Sequence, residues 1–265
     1  MSIRKYILTI LIISVLVTNV NATLIYEDHF QGNTMDTNKW KVYGNGPSPN
    51  GDTAISPDNV IVNNGLHLRI NRFNGNPADN YGKNYVGGGL ENSGYDITHG
   101  RWEVRARFPS GQGLVGYIGL FTANQWPPEI DFAEASGSNP NRVEFTQHWD
   151  PDNKMELSAY NIDITQFHTY IIDLENNQLN WYIDGNLIAT QTQHFGDVPW
   201  FIAAGSWAGN CDNNWPGCPT NTALPSYVDI DYVKIYDSIP TATPTPTPTA
   251  TPTPTPTATP TPTPT

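Results

Sequence analysis

The sequence has little charge, few cysteines and no long apolar run in its body. Only 14% of the 265 residues are charged, and 13 Lys and Arg stand against 25 Asp and Glu, which gives a formal net charge of −12. Binding to nucleic acids or to anionic membranes depends on clustered Lys and Arg, so we expect neither. Cys211 and Cys218 are the only cysteines and have no histidine nearby, which excludes a zinc site built on them.

Residues 1–22 have the three parts of a secretory signal. Arg4 and Lys5 are followed by an apolar run at 7–17 and by a small-residue cleavage site ending at Ala22. A membrane anchor is the alternative, but a membrane span needs about 20 apolar residues. We therefore expect a cleaved signal and an exported protein that inserts in no membrane.

Residues 240–265 are a Thr/Pro-rich linker or tail with proline at nearly every second position. Proline removes backbone donors, so the composition predicts an extended spacer, a candidate attachment to the cell surface. The remaining residues, 23–239, have the length of one β-sandwich or barrel domain. We expect a monomer by default.

In an exported chain, two cysteines favour a disulfide. Cys211 and Cys218 would then close a short loop that contains Trp215. Two free thiols are the alternative.

The body of the chain reads as all-β. No long stretch keeps a 3.6-residue period, whereas short β-branched and aromatic runs recur between turn residues. Asn63-Asn64-Gly65 and Asp184-Gly185-Asn186 each lie between two such runs, which predicts two hairpins. Many short strands with frequent turns are typical of a β-sandwich or jelly roll.

The most informative segment is the run from Glu129 to Glu134, Glu-Ile-Asp-Phe-Ala-Glu. Alternation along a strand places Glu129 and Asp131 on one face, while Glu134 would point to the other. A β-bulge at Phe132–Ala133 would return Glu134 to the face of the first two acids.

Crowded carboxylates drive each other's pKa values apart, which separates an acid from a base. Cleavage of a glycosidic bond with retention needs a carboxylate nucleophile and a protonated carboxyl beside it. This chemistry would make Glu129 the nucleophile, Asp131 its helper and Glu134 the acid/base. A solvated strand face or a calcium cluster is the plainer alternative.

The segment resembles the E-I-D-x-x-E signature of glycoside hydrolase family 16, in its bulged, laminarinase-like branch. Further segments are similar to family motifs in the same order along the chain: residues 26–30, 36–40, 65–68, 100–107, 182–185 and 229–236. The resemblance implies a concanavalin A-like jelly roll of two curved antiparallel sheets with a concave substrate cleft. It also implies the three catalytic roles given above, and hydrolysis that needs no cofactor.

The resemblance extends to residues around the acids. Trp126 matches a tryptophan that walls the cleft, and His148 matches a histidine near the acid/base; a histidine that is only hydrogen-bonded within its strand is the alternative. Because aromatic faces stack on sugars, we also assign Trp102 and Trp207 to substrate binding, together with Arg105. For any one tryptophan, core packing is the alternative.

Many members of the family bind one structural calcium on the convex face. Asp231 matches the carboxylate ligand there, with backbone oxygens near Gly65 and Glu27 as its partners, and oxygen ligands suit calcium. An ordinary surface aspartate is the alternative.

Two segments depart from the family pattern: Pro127-Pro128 before the acids, and residues 200–207. Both bear on the choice of substrate more than on the chemistry. The sequence thus predicts a secreted retaining endo-β-glucanase that hydrolyses internal β-1,3 or mixed β-1,3/1,4 bonds. The alternatives are a same-fold hydrolase of galactans, a non-catalytic carbohydrate-binding module, and a structural wall protein suggested by the tail.

Overall fold

The computed structural model describes residues 22–123, 125–150, 154–175, 177–211, 215–220 and 222–240. The predicted signal (except Ala22) and nearly all of the predicted Thr/Pro tail lie outside these residues. Within them no helix is both long and apolar enough to cross a membrane.

The regular secondary structure of the described residues is β-strand, apart from two short 3₁₀ turns at Pro57–Asn59 and Pro77–Asn80. In chain order the strands are β1 (Leu24–Asp28), β2 (Trp40–Val42), β3 (Gly46–Pro47), β4 (Thr53–Ile55), β5 (Val60–Val62), β6 (Leu66–Arg72), β7 (Tyr85–Gly87), β8 (Gly89–Asn92), β9 (Gly100–Arg107), β10 (Leu114–Phe121), β11 (Glu129–Ser136), β12 (Arg142–Asp150), β13 (Lys154–Asn161), β14 (His168–Glu175), β15 (Gln178–Ile183), β16 (Asn186–Gln191), β17 (Phe201–Ala208) and β18 (Ser226–Tyr236).

Two sheets make the sandwich, as the sequence predicts. The seven-stranded sheet has the order β13-β12-β11-β10-β17-β8-β2. The eleven-stranded sheet runs β16-β15-β14-β9-β18-β6-β7-β4-β3, with β1 on β18 and β5 on β6. Strand pairing is antiparallel except between β4 and β7, which run parallel.

Both predicted hairpins form. β5 and β6 flank Asn63-Asn64-Gly65, where Asn64 and Gly65 have positive φ. β15 and β16 are joined at Asp184 and Gly185, with φ of 48° and 78°. Two successive positive φ values match the twist of a two-residue hairpin, and Asp-Gly tolerates them.

The core lies between the two sheets and is built from alternate residues of each strand. On β9, Trp102, Val104 and Ala106 are fully buried, while Arg101 and Arg105 lie on the opposite side of the strand. The acidic strand β11 likewise buries Ile130, Phe132, Ala133 and Ala135. The core therefore fixes which side of β11 is left for its acids.

Candidate active site

The bulge in β11 places three acids on one face. Along β10, Gly119 pairs with Asp131 and the next residue, Ile118, pairs with Ala133, so that Phe132 is the extra residue. Phe132 and Ala133 are both buried in the core. The predicted bulge is thereby confirmed, and it brings Glu129, Asp131 and Glu134 to the outer face of the seven-stranded sheet, called here the acid-bearing face.

A hydrogen bond across the sandwich supports the bulge. A bulge leaves backbone polar groups out of the ladder, and the indole Nε1 of Trp181 on β15 donates to the backbone oxygen of Asp131 at 2.8 Å. Trp181 is itself buried in the core. The larger sheet thus holds the middle acid in place through its backbone.

Polar contacts favour the anionic form of Glu129. The indole Nε1 of Trp126 donates to Oε2 of Glu129. His148 is opposite Glu129 in the β11–β12 ladder, and its Nε2 lies 4.0 Å from Oδ2 of Asp131. The rings of Trp126 and His148 are 5.7 Å apart. His148 therefore sits beside Glu129 and Asp131, whereas Glu134 has Glu144 as its ladder partner.

Burial and mutual repulsion separate the three acids in pKa. Burial raises the pKa of Glu134 to about 7, with further contributions from Glu129 and Glu144. Burial also raises the pKa of Glu129, but the Trp126 N–H, His148 and a hydrogen bond with Asp131 all pull it down. The pKa of Asp131 is raised well above its usual range by burial and by Glu129 and Glu134. Asp131 is thus the proton donor in its hydrogen bond to Glu129.

Glu129, Asp131 and His148 are also the one group of His, Cys, Asp and Glu residues in the described structure whose ligand atoms converge, all within 4.8 Å of each other. The carboxylate of Glu129 accepts the indole N–H of Trp126. The carboxyl groups of Glu129 and Asp131 share a proton in a hydrogen bond. These contacts are those of an acid–base site, and we assign no metal to it.

Two glycines make room on the acid-bearing face. A Cβ at Gly119 would lie 2.7 Å from Oδ1 of Asp131, and a Cβ at Gly205 on β17 would lie 2.6 Å from the hydroxyl oxygen of Tyr117. Tyr117 is the β10 ladder partner of Glu134. Each side chain therefore leans over a glycine of the neighbouring strand.

A second polar cluster lies further across the same sheet. Glu91 on β8 forms an ion pair with Lys41 at 2.7 Å and is hydrogen-bonded to the hydroxyl of Tyr43. Neither Tyr117 nor this cluster was predicted from the sequence. Both could be found only from the positions of β10 and β8 in the sheet, and the sequence does not show which strands are neighbours.

Two of the substrate-binding assignments are wrong. Trp102 has no exposed surface, because its side of β9 faces the core. Arg105 lies on the outer face of the other sheet, where its Nη1 pairs with Oδ2 of Asp231 at 2.5 Å and its guanidinium lies 4.8 Å from the ring centre of Phe167. Neither residue can reach a ligand bound at the acids.

Trp207 is on the acid-bearing face, at the end beyond Glu134, but it is only 6% exposed. Trp215 packs edge-on against it with ring centres 5.9 Å apart and is 38% exposed. The aromatic surface at this end is therefore that of Trp215. Trp126, 50% exposed, presents the corresponding surface beside Glu129.

The predicted disulfide forms between Cys211 and Cys218. Ser138, in the turn between β11 and β12, donates its Oγ–H to the backbone oxygen of Pro216 at 2.7 Å and accepts the N–H of Gly113 at 3.0 Å. The disulfide loop, which carries Trp215, is thus tied to the strands that carry the acids.

The oxygens expected to bind calcium already have protein donors. Asp231 is paired with Arg105, and the backbone oxygen of Gly65 accepts the N–H of Asn63. Lys39 Nζ donates to the backbone oxygen of Glu27 at 2.6 Å. Because cationic groups occupy two of the three expected ligands, the set as arranged does not fit a calcium ion.

Comparison with known proteins places this arrangement in a family. The model of glycosyl hydrolases family 16 matches residues 48–234. The chain belongs to glycosyl hydrolase family 16. The matched residues include the whole acidic strand and both predicted hairpins, so the resemblance drawn from the sequence motifs is confirmed.

Relatives of this family-16 chain include "Glucan endo-1,3-beta-glucosidase A1" of Niallia circulans, 27% identical over 259 residues, covering 80% of this chain and 37% of that protein. "Endo-1,3-1,4-beta-glycanase ExsH" of Rhizobium meliloti (strain 1021) is 29% identical over 216 residues, covering 78% and 45%. The chain spans less than half the length of these two curated relatives.

Solved structures of the family share the fold. SCLam, described as a non-specific endo-β-1,3(4)-glucanase, is 25% identical with a TM-score of 0.72, covering 82% of this chain and 91% of its own. The laminarinase catalytic domain of Thermotoga maritima MSB8 is 23% identical with a TM-score of 0.70, covering 82% and 99%. The predicted jelly roll is thereby confirmed for this family-16 chain.

Proposed function

We propose that this protein is an exported endo-β-glucanase that hydrolyses internal β-1,3 or mixed β-1,3/1,4 bonds with retention of configuration. The observation that carries the proposal is the bulge in β11, which brings three acids to one face in unlike surroundings. A retaining hydrolase needs one ionised and one protonated carboxyl, and the contacts of Glu129 and Glu134 favour those two states. The relatives named as a glucan endo-1,3-β-glucosidase and an endo-1,3-1,4-β-glycanase support the class of substrate.

In the first step, a carboxylate oxygen of Glu129 attacks the anomeric carbon while the bond from that carbon to the leaving oxygen breaks. The proton of Glu134 goes to the leaving oxygen. Asp131, protonated and hydrogen-bonded to Glu129, orients the nucleophile. The products are a glycosyl ester of Glu129 and a shortened glucan.

In the second step, the ionised Glu134 takes a proton from water, and the water oxygen attacks the same carbon. The ester bond breaks, Glu129 leaves as a carboxylate, and Glu134 is again protonated. The net reaction consumes one water, and the steps written here need no cofactor. Export by the segment 1–22, a monomeric state and attachment through the tail belong to the same proposal.

The test is a reducing-sugar assay on laminarin, mixed-linkage barley glucan, xyloglucan, agarose, carrageenan and keratan sulfate, with Glu129→Ala as the control. We expect laminarin or barley glucan to be cut by the wild type only, and NMR of the first products to show the β-anomer. Binding of a glucan without any cleavage would instead support a carbohydrate-binding module. An initial α-anomer would overturn the retaining mechanism.

A galactan substrate is the second candidate. The keratan-sulfate endo-1,4-β-galactosidase of Sphingobacterium multivorum is 23% identical and covers 83% of this chain. A chain of net charge −12 repels a sulfated polymer, which favours the neutral glucan. Cleavage of agarose, carrageenan or keratan sulfate alone would reverse this order.

A further inference from the structure

Tyr117 is a polar residue of the acid-bearing face that the steps above do not use. Its backbone pairs with Glu134 on one side and with Gly205 on the other. The phenol leans away from β11, because a Cβ at Gly205 would lie 2.5 to 2.7 Å from its Cε1, Cζ and hydroxyl oxygen. The ring edge is therefore seated on the backbone of β17, with Phe121 6.2 Å away.

The hydroxyl of Tyr117 has no hydrogen-bond partner among the residues that the structure describes. Unlike the hydroxyl of Tyr170, the hydroxyl of Tyr117 is not sealed within the protein, so a ligand can reach it. Burial and the carboxylates of Glu129, Asp131, Glu91 and Glu134 raise the pKa of this phenol. The hydroxyl thus keeps its proton at neutral pH, and its O–H can donate to a ligand that displaces solvent from it.

We propose that Tyr117 is a substrate-binding residue whose O–H donates a hydrogen bond to a sugar hydroxyl next to the scissile bond. This inference rests on the proposed function and assigns one contact within it. The ligand would be a polymer with free ring hydroxyls that crosses the strands from β11 toward β17.

The position of Tyr117 suits this contact. Neighbouring strands lie about 4.8 Å apart. Tyr117 is on β10, one strand away from the acids of β11, and its side chain leans toward β17. A glucan whose scissile bond lies over β11 passes above the phenol with the ring adjoining that bond. A sugar hydroxyl there would replace solvent as the acceptor of the Tyr117 O–H.

The test is Tyr117→Phe, which removes the hydroxyl and keeps the ring on Gly205. Tyr170→Phe is the matched control, because Tyr170 is a core tyrosine whose buried hydroxyl also has no partner in the described structure. We expect KM for laminarihexaose to rise about 3- to 10-fold in Tyr117→Phe, the range of one hydrogen bond, with kcat changed less. Tyr170→Phe should match the wild type, and Tm should be unchanged in Tyr117→Phe.

Binding is measured separately by titrating laminarihexaose into Glu129→Gln and into Glu129→Gln/Tyr117→Phe. We expect Kd to rise by the same factor as KM. An unchanged KM and Kd, a loss confined to kcat, or an equal loss in Tyr170→Phe would each overturn the inference. Failure of the proposed function shows differently, as a wild type that cuts no glucan or a Glu129→Ala variant that still cuts it.

Discussion

The carboxylate of Asp131 lies directly over Gly119, so that a Cβ on that glycine would be 2.7 Å from Oδ1. Real Cβ atoms do not approach oxygen this closely. The middle acid therefore keeps its orientation only while residue 119 has no side chain.

Gly119→Ala should lower kcat about 10- to 100-fold, because small displacements of catalytic groups have effects of this size. The variant should still fold, since the new methyl group lies on the outer face of the sheet. Gly46→Ala is the control, because a Cβ there meets nothing within 4 Å. Full activity of Gly119→Ala in steady-state assays would show that the orientation of Asp131 is not needed.

Trp126→Phe should move the acidic limb of the pH–rate profile to higher pH. The indole N–H lowers the pKa of Glu129, so its loss raises that pKa, and a larger fraction of the nucleophile is protonated in mild acid. Trp40→Phe removes another indole–carboxylate hydrogen bond, the one to Asp28, and should leave the limb in place. Identical acidic limbs in Trp126→Phe and wild type would contradict the role of this hydrogen bond.

Glu144→Gln should move the alkaline limb to lower pH. Glu144 raises the pKa of Glu134, which is about 7, so removing its charge makes Glu134 lose its proton earlier as the pH rises. The limb is read from kcat/KM between neutral and alkaline pH. Glu175→Gln makes the same charge change at the end of β14 and should have no effect; an equal shift in both variants would mean that only net charge matters.

Glu134→Gln should stabilise the fold at alkaline pH. The folded-state pKa of about 7 lies above the reference value of 4.5, so the native state binds the proton more tightly. The free energy of unfolding therefore falls as the pH rises from about 4.5 to about 7. Glutamine removes this loss, which is about 1–3 kcal/mol. Urea unfolding should show a more stable variant at pH about 8 and no gain at pH about 4; a gain of equal size at both would point to packing instead.

Calcium should not change Tm. A ligand that binds only the native state raises Tm, but Lys39 and Arg105 already occupy the oxygens of Glu27 and Asp231. Thermal unfolding in millimolar calcium and in chelator should coincide. A calcium-dependent rise in Tm would show that these two cations give way to the metal.

The sequence predicts which face of a strand each residue occupies, because side chains alternate between the two faces. Glu134 stands at odd spacing from Glu129, so a bulge is the one way to bring the two to one face, and the bulge is there. Alternation along a strand does not show which sheet the strand joins. The assignment of Arg105 to the substrate site is therefore wrong, because β9 lies in the other sheet.

Tyr117 was missed for a related reason. β10 carries apolar or small residues on both faces, from Leu114 to Phe121, so no alternation marks its outer side. Only the pairing with β11 and β17 shows that Tyr117 shares a face with Glu134. Trp102, in contrast, was assigned to substrate binding although it alternates with Val104 and Ala106, a pattern that favours the core.

The hydroxyl of Ser138 joins three segments that are far apart in the chain, through Gly113 and Pro216. A protein engineer who transplants the disulfide loop into a related scaffold would move Trp215 without Ser138, whose hydroxyl holds the adjacent backbone of Pro216. The transferable unit is the loop together with Ser138 and its turn, and libraries that vary the loop should hold that serine constant.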